Sequence, residues 1–136
     1  NQLAVGALAA MAWVLKPGLR ASLAWLLTWP VIPLVLPYWP HIGYYAGLSG
    51  LIHAAVAVVG VYLVAGRTTV PMARRWGGML LLGLVTKLLI ERAWHWPVVW
   101  SDNLGISVVQ ASHLVGAVAG MVAAFAVLHQ ALDLAD

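Results

Sequence analysis

A serine between two close glycines, Gly47-Leu48-Ser49-Gly50, opens a long apolar run, and His53 follows one helical turn later. A second histidine, His113, stands in Gln110-Ala111-Ser112-His113-Leu114-Val115-Gly116, with Gly120 one turn beyond Gly116. Serine and histidine within hydrogen-bond reach make an activated nucleophile, because the imidazole takes the hydroxyl proton as the oxygen attacks a carbonyl. Backbone N–H groups near Leu48 and Ser49 would hold the oxyanion that develops. Gly47 and Gly50 are expected to keep the turn free of side chains, so that a substrate backbone can approach. No carboxylate announces itself as a third member, and the expected constellation is a Ser49–His113 dyad.

The elements that must position these residues are membrane helices. Of 136 residues, 63% are hydrophobic and only 8% charged, and the mean hydropathy of +0.93 lies far outside the range of soluble domains. Runs long enough to cross about 30 Å of hydrocarbon fall at residues 1–15, 21–37, 47–66, 76–95 and 106–130. The expected fold is therefore an all-α polytopic bundle forming one domain over residues 1–136, since lipid tolerates only spans whose backbone hydrogen bonds close internally. The chain opens at Asn1-Gln2 without a methionine and runs straight into apolar residues. Residues 1–15 accordingly read as a span cut short, with an N-terminal part missing.

Lys16, Arg20, Arg67, Arg74 and Arg75 lie in or beside alternate loops, which predicts that side to be cytoplasmic. The opposite loops carry Tyr38, Trp39, Tyr44, Tyr45, Trp96 and Trp100, as expected at a membrane interface. Ser49 and the start of the His113 helix share that outer side. With a span beginning at residue 106, His113 is expected about seven residues into its helix, roughly 10 Å down at 1.5 Å per residue. Gly116 and Gly120 lie on the face below His113 and predict a close approach to the Ser49 helix.

The pairing of Gly47-Leu48-Ser49-Gly50 with His113-Leu114-Val115-Gly116 and Gly120 resembles the rhomboid family of intramembrane serine proteases, which carry GxSG on one helix and HxxGxxxG on a later one. "GLSGLIHA" and "TKLLIERAW" look most like its rhombosortase branch. The resemblance covers nearly the whole chain, with five of an expected six spans visible. It implies a Ser–His endopeptidase of the bacterial cytoplasmic membrane, opening toward the periplasm, that cuts membrane-anchored proteins near the outer end of a helix at C-terminal GlyGly-CTERM sorting signals. It also aligns Asn1 with the Asn of the family's HxxxN motif, an oxyanion-hole donor, and puts His53 where many members carry an aromatic residue.

Each residue also has a plainer reading. Serine is common in membrane helices as a small packing residue, and a buried histidine can be structural. His53, at i+4 from Ser49, is expected to support His113 or to pack beneath it. Lys87 and Glu91, also at i to i+4, are expected to neutralise each other, with Arg92 reaching for the interface. His41, His95 and His129 lack the clustered spacing of a zinc site, so no metal and no other cofactor is expected. The lipid bilayer is an expected partner and nucleic acid is not. The alternatives are a rhomboid-like pseudoprotease that binds transmembrane clients without cutting them, and a small transporter or channel. The first predicts loss of the Ser–His pair, and the second calls for charged groups at mid-membrane.

Overall fold

The computed structural model describes residues 2–39, 42 and 45–129, without the side chains of Leu128 and His129. Among these residues five α-helices make an all-α bundle: α1 (Gln2–Leu15), α2 (Leu19–Val35), α3 (Ser49–Val64), α4 (Ala73–Glu91) and α5 (Gln110–His129). Each coincides with one of the five apolar runs. Pro17 and Gly18 separate α1 from α2, and Gly18 is extended at the N-cap. Pro30 and Pro33 lie inside α2, each withholding a backbone donor. Pro37 then falls in a 3-10 turn, Leu36–Tyr38. Gly66, at φ +69°, follows the end of α3, and Arg92 ends α4 in the left-handed region with its N–H on the Leu88 carbonyl.

One expected boundary is corrected. Residues 106–109 do not begin the last helix; Ile106–Val109 forms a strand, β2, antiparallel to β1 (Val98–Ser101). The connecting turn carries Gly105 at φ +62°. β-branched Val98, Val99, Ile106, Val108 and Val109 suit the pleat, and an apolar strand leading straight into an apolar helix leaves no break in hydropathy to mark the change. α5 therefore starts at Gln110, and His113 is its fourth residue, in the first turn.

α3 is the central helix, with ten buried residues, and it packs on α2, α4 and α5. Small residues set the spacing. A Cβ on Gly116 would lie 2.0 Å from the Gly50 carbonyl oxygen, and one on Gly120 would lie 2.5 Å from that of Ala54. On the other side, a Cβ on Gly77 of α4 would lie 2.8 Å from the Gly60 carbonyl oxygen. Backbones this close gain dispersion contacts along their whole length. α1 has no buried residues and packs only lightly, against α3.

Among the described residues, two helical stretches, Leu19–Tyr38 and Gln110–Val127, are long and apolar enough to cross a membrane. α1 and α3 are apolar but shorter, and α4 carries Arg74, Arg75, Lys87 and Glu91. The outward faces are also apolar: Trp13, Leu27, Trp29, Leu34, Leu82, Ile90, Val122 and Phe125 are all exposed.

Candidate active site

Ser49 is the first residue of α3 and His113 belongs to the first turn of α5, so the close α3–α5 packing brings both to one end of the bundle. Gly50 fixes that meeting. A Cβ there would lie 2.7 Å from the Ser112 carbonyl oxygen, so the space expected to admit a substrate backbone at Gly50 is filled by α5. Gly47 borders the Tyr45 ring instead, its added Cβ 3.7 Å from the hydroxyl. Gly116 and Gly120 occupy the contact face predicted for them.

The hydrogen bonds define a directed network. Ser112 is fully buried, and its hydroxyl donates to the Val109 carbonyl at 2.7 Å. With that proton committed, Ser112 Oγ accepts from the Ser49 hydroxyl at 3.3 Å. Among the described residues no hydrogen bond joins Ser49 Oγ to His113, and the adjacent Ser112 takes it instead. His53 Nδ1 donates to the Ser49 carbonyl at 2.7 Å, because a carbonyl only accepts. Its ring stacks on that of His113, with centroids 4.1 Å apart and planes 10° from parallel. His53 thus lies between the backbone of one candidate and the ring of the other, as its i+4 position suggested.

Glu91 corrects the expectation of a bare dyad. His113 Nδ1 lies 3.0 and 2.9 Å from the two Glu91 carboxylate oxygens, and the Lys87 ammonium donates to Oε1 at 2.5 Å. Both His113 and the Glu91 side chain are largely withdrawn from solvent, whereas Lys87 is half exposed. The Lys87–Glu91 pair therefore exists as predicted, but it does not close on itself. With Nδ1–H given to the carboxylate, His113 Nε2 keeps its lone pair, which is the tautomer a general base requires. With its amide turned so that the nitrogen faces the Glu91 and Trp96 carbonyls, Gln110 donates to them at 2.7 and 3.2 Å and ties the end of α4 to the start of α5.

His53, Glu91 and His113 each bring one ligand atom to within 4.8 Å of the others, a cluster that the spacing of His41, His95 and His129 did not foreshadow. The arrangement suits a metal poorly. Glu91 already serves two donors, and two face-to-face imidazoles direct their in-plane lone pairs side by side instead of converging on one tetrahedral centre. Asn1, His41 and the His129 side chain lie outside the described residues, and with Asn1 so does the oxyanion role expected of it. The N–H of Ser49, first in its helix, has no acceptor among the described residues.

An apolar cavity of about 530 Å³ lies between α1, α2 and α3. Leu51, Ile52, Ala55 and Tyr62 supply its α3 wall, so it runs along the opposite face of α3 from His113, and Leu48 extends it to the residue just before Ser49.

No protein-family model, curated protein or solved structure matches this chain.

Proposed function

We propose that the protein is a membrane-embedded serine endopeptidase of rhomboid type, with Ser49 as nucleophile, His113 as general base and Glu91 as the group that orients it. The observation that carries the reading is a His113 whose Nδ1 is held by the half-buried Glu91 carboxylate, next in sequence to the Ser112 that Ser49 bonds, at the abutting first turns of α3 and α5. The apolar outer faces and the two span-length helices support a multi-pass membrane setting.

In the mechanism, the Ser49 hydroxyl rotates from Ser112 to His113 Nε2. His113 removes its proton as Oγ adds to the scissile carbonyl. The imidazolium formed is stabilised by Glu91, whose own charge is balanced by Lys87. The Ser49 N–H donates to the oxyanion as it forms, and one such donor is worth about a hundredfold or more in rate. The proton then passes from Nε2 to the leaving amine, the peptide bond breaks, and water hydrolyses the acyl-enzyme by the same route.

The substrate class is a membrane-anchored protein cut near the outer end of its helix, at a GlyGly-type sorting signal in a bacterial cytoplasmic membrane, with the site open to the periplasmic side. Glycine weakens a helix by about 1 kcal/mol relative to alanine, so a Gly-Gly pair frees carbonyls that an intact helix would hide. The test is co-expression with a reporter ending in Gly-Gly, an apolar helix and a basic tail. Release of the reporter should require Ser49, His113 and the two glycines. Undiminished release by Ser49→Ala would remove Ser49 as nucleophile.

The bond from Ser49 to Ser112 favours a second reading, a pseudoprotease that binds transmembrane clients with its serine held out of use. Absence of both release and fluorophosphonate labelling in the wild-type protein, with client binding retained, would select it.

A further inference from the structure

Tyr45 stands four residues before the nucleophile, and its ring packs against the cluster of Ile32, Leu36, Ala111 and Val115. Its hydroxyl accepts a hydrogen bond from the Gly50 N–H at 3.3 Å, and it lies where a Gly47 side chain would touch it. The phenol oxygen therefore sits at the N-terminus of α3, inside the Gly47–Gly50 loop. Its own proton has no acceptor among the described residues.

We infer that the Tyr45 hydroxyl is a catalytic oxyanion donor, completing with the Ser49 N–H the site that receives the substrate's carbonyl oxygen. The first N–H groups of a helix point the same way along its axis. An oxygen held by the Gly50 N–H therefore lies beside one held by the Ser49 N–H. Accepting from Gly50 fixes the phenol oxygen and leaves its proton free to donate. A carbonyl carbon bonded to Ser49 Oγ carries its oxyanion within reach of the Ser49 N–H, and the neighbouring phenol supplies a second donor already oriented before reaction, which is what oxyanion stabilisation demands. No bond to Tyr45 forms or breaks, and its proton stays on the phenol oxygen throughout.

This inference rests on the acyl-transfer reading of Ser49, and the experiment separates the two. Tyr45→Phe and Ser49→Ala are compared in the complete chain in lipid vesicles, on the Gly-Gly reporter. Tyr45→Phe should lower kcat about a hundredfold with KM little changed. An inactive Ser49→Ala beside a Tyr45→Phe of full kcat overturns the role of Tyr45 alone, whereas an active Ser49→Ala overturns the underlying reading.

Phenylalanine also removes the acceptor of the Gly50 N–H, so 3,5-difluorotyrosine is placed at position 45 as a second probe, at a pH where the phenol stays protonated. Fluorination makes the hydroxyl a better donor and a poorer acceptor. An oxyanion donor predicts kcat held or raised. A loss as large as that of Tyr45→Phe would make Tyr45 a loop anchor only and overturn the proposal.

Discussion

Glu91 accepts from His113 Nδ1 across two helices, 22 residues apart in sequence, at 2.9 and 3.0 Å. A carboxylate in this position selects the imidazole tautomer and stabilises the imidazolium that forms during attack. Glu91→Gln keeps the shape but loses the charge, and the amide can present its nitrogen to Nδ1 and invert the tautomer. Cleavage of the Gly-Gly reporter should fall about a hundredfold or more, while Lys87→Met, which leaves the carboxylate in place, should cost less. Full activity in Glu91→Gln would leave Glu91 as the ion-pair partner of Lys87 and nothing more.

Ser112 takes the hydroxyl proton of Ser49, which makes no hydrogen bond to His113 among the described residues. Ser112→Ala removes that competing acceptor, worth about 1 kcal/mol for a typical hydrogen bond. The rate of fluorophosphonate labelling at Ser49 should then rise about fivefold, the equivalent of that energy. A large drop would mean that Ser112 positions Ser49 for attack.

His53 has two separable roles, the bond to the Ser49 carbonyl and the stack on His113. Phenylalanine retains the stack alone, and alanine retains neither. Stacking of aromatic rings contributes about 0.5–1.5 kcal/mol beyond burial. His53→Ala should therefore be less active and less heat-stable than His53→Phe, as read by reporter release and thermal aggregation in detergent. Equal behaviour of the two would assign the whole effect to the hydrogen bond.

The helix contacts differ in what a new side chain would strike. At Gly116 it would meet the backbone of Gly50, and at Gly60 the end of the Leu81 side chain, 2.6 Å away. A side chain can change rotamer whereas a packed backbone must move bodily. Gly116→Leu should separate α5 from α3 and abolish activity, since a displacement of about 1 Å at a reacting centre can cost a hundredfold. Gly60→Ala should retain most of it. The check is reporter release normalised to the amount of protein in the membrane, and a fully active Gly116→Leu would contradict the close-packing role of that face.

The five helices were legible because each is a long apolar run closed by proline, glycine or charge, all of which act within a few residues of chain. The α3–α5 contact was legible too, since the spacing of His113, Gly116 and Gly120 puts one reactive group and two gaps on a single helical face. What the chain could not declare was anything decided between elements of equal hydropathy. Ile106–Val109 is as apolar as the helix it joins, and it becomes a strand only because Val98–Ser101 is there to pair with it.

Glu91 has a local partner in Lys87 at i+4, which accounts for it completely from sequence. Only the packing of α3 against both α4 and α5 sets His113 within reach of the same carboxylate. Gly50 and Ser112 follow the same logic. Read along the chain, one leaves space for a substrate and the other merely precedes a histidine. In three dimensions the backbone of Ser112 fills that space, and its hydroxyl takes the proton of Ser49. Residue types and spacings determined which groups were available for chemistry; the close approach of backbones, a property of helix pairs, decided which of them meet.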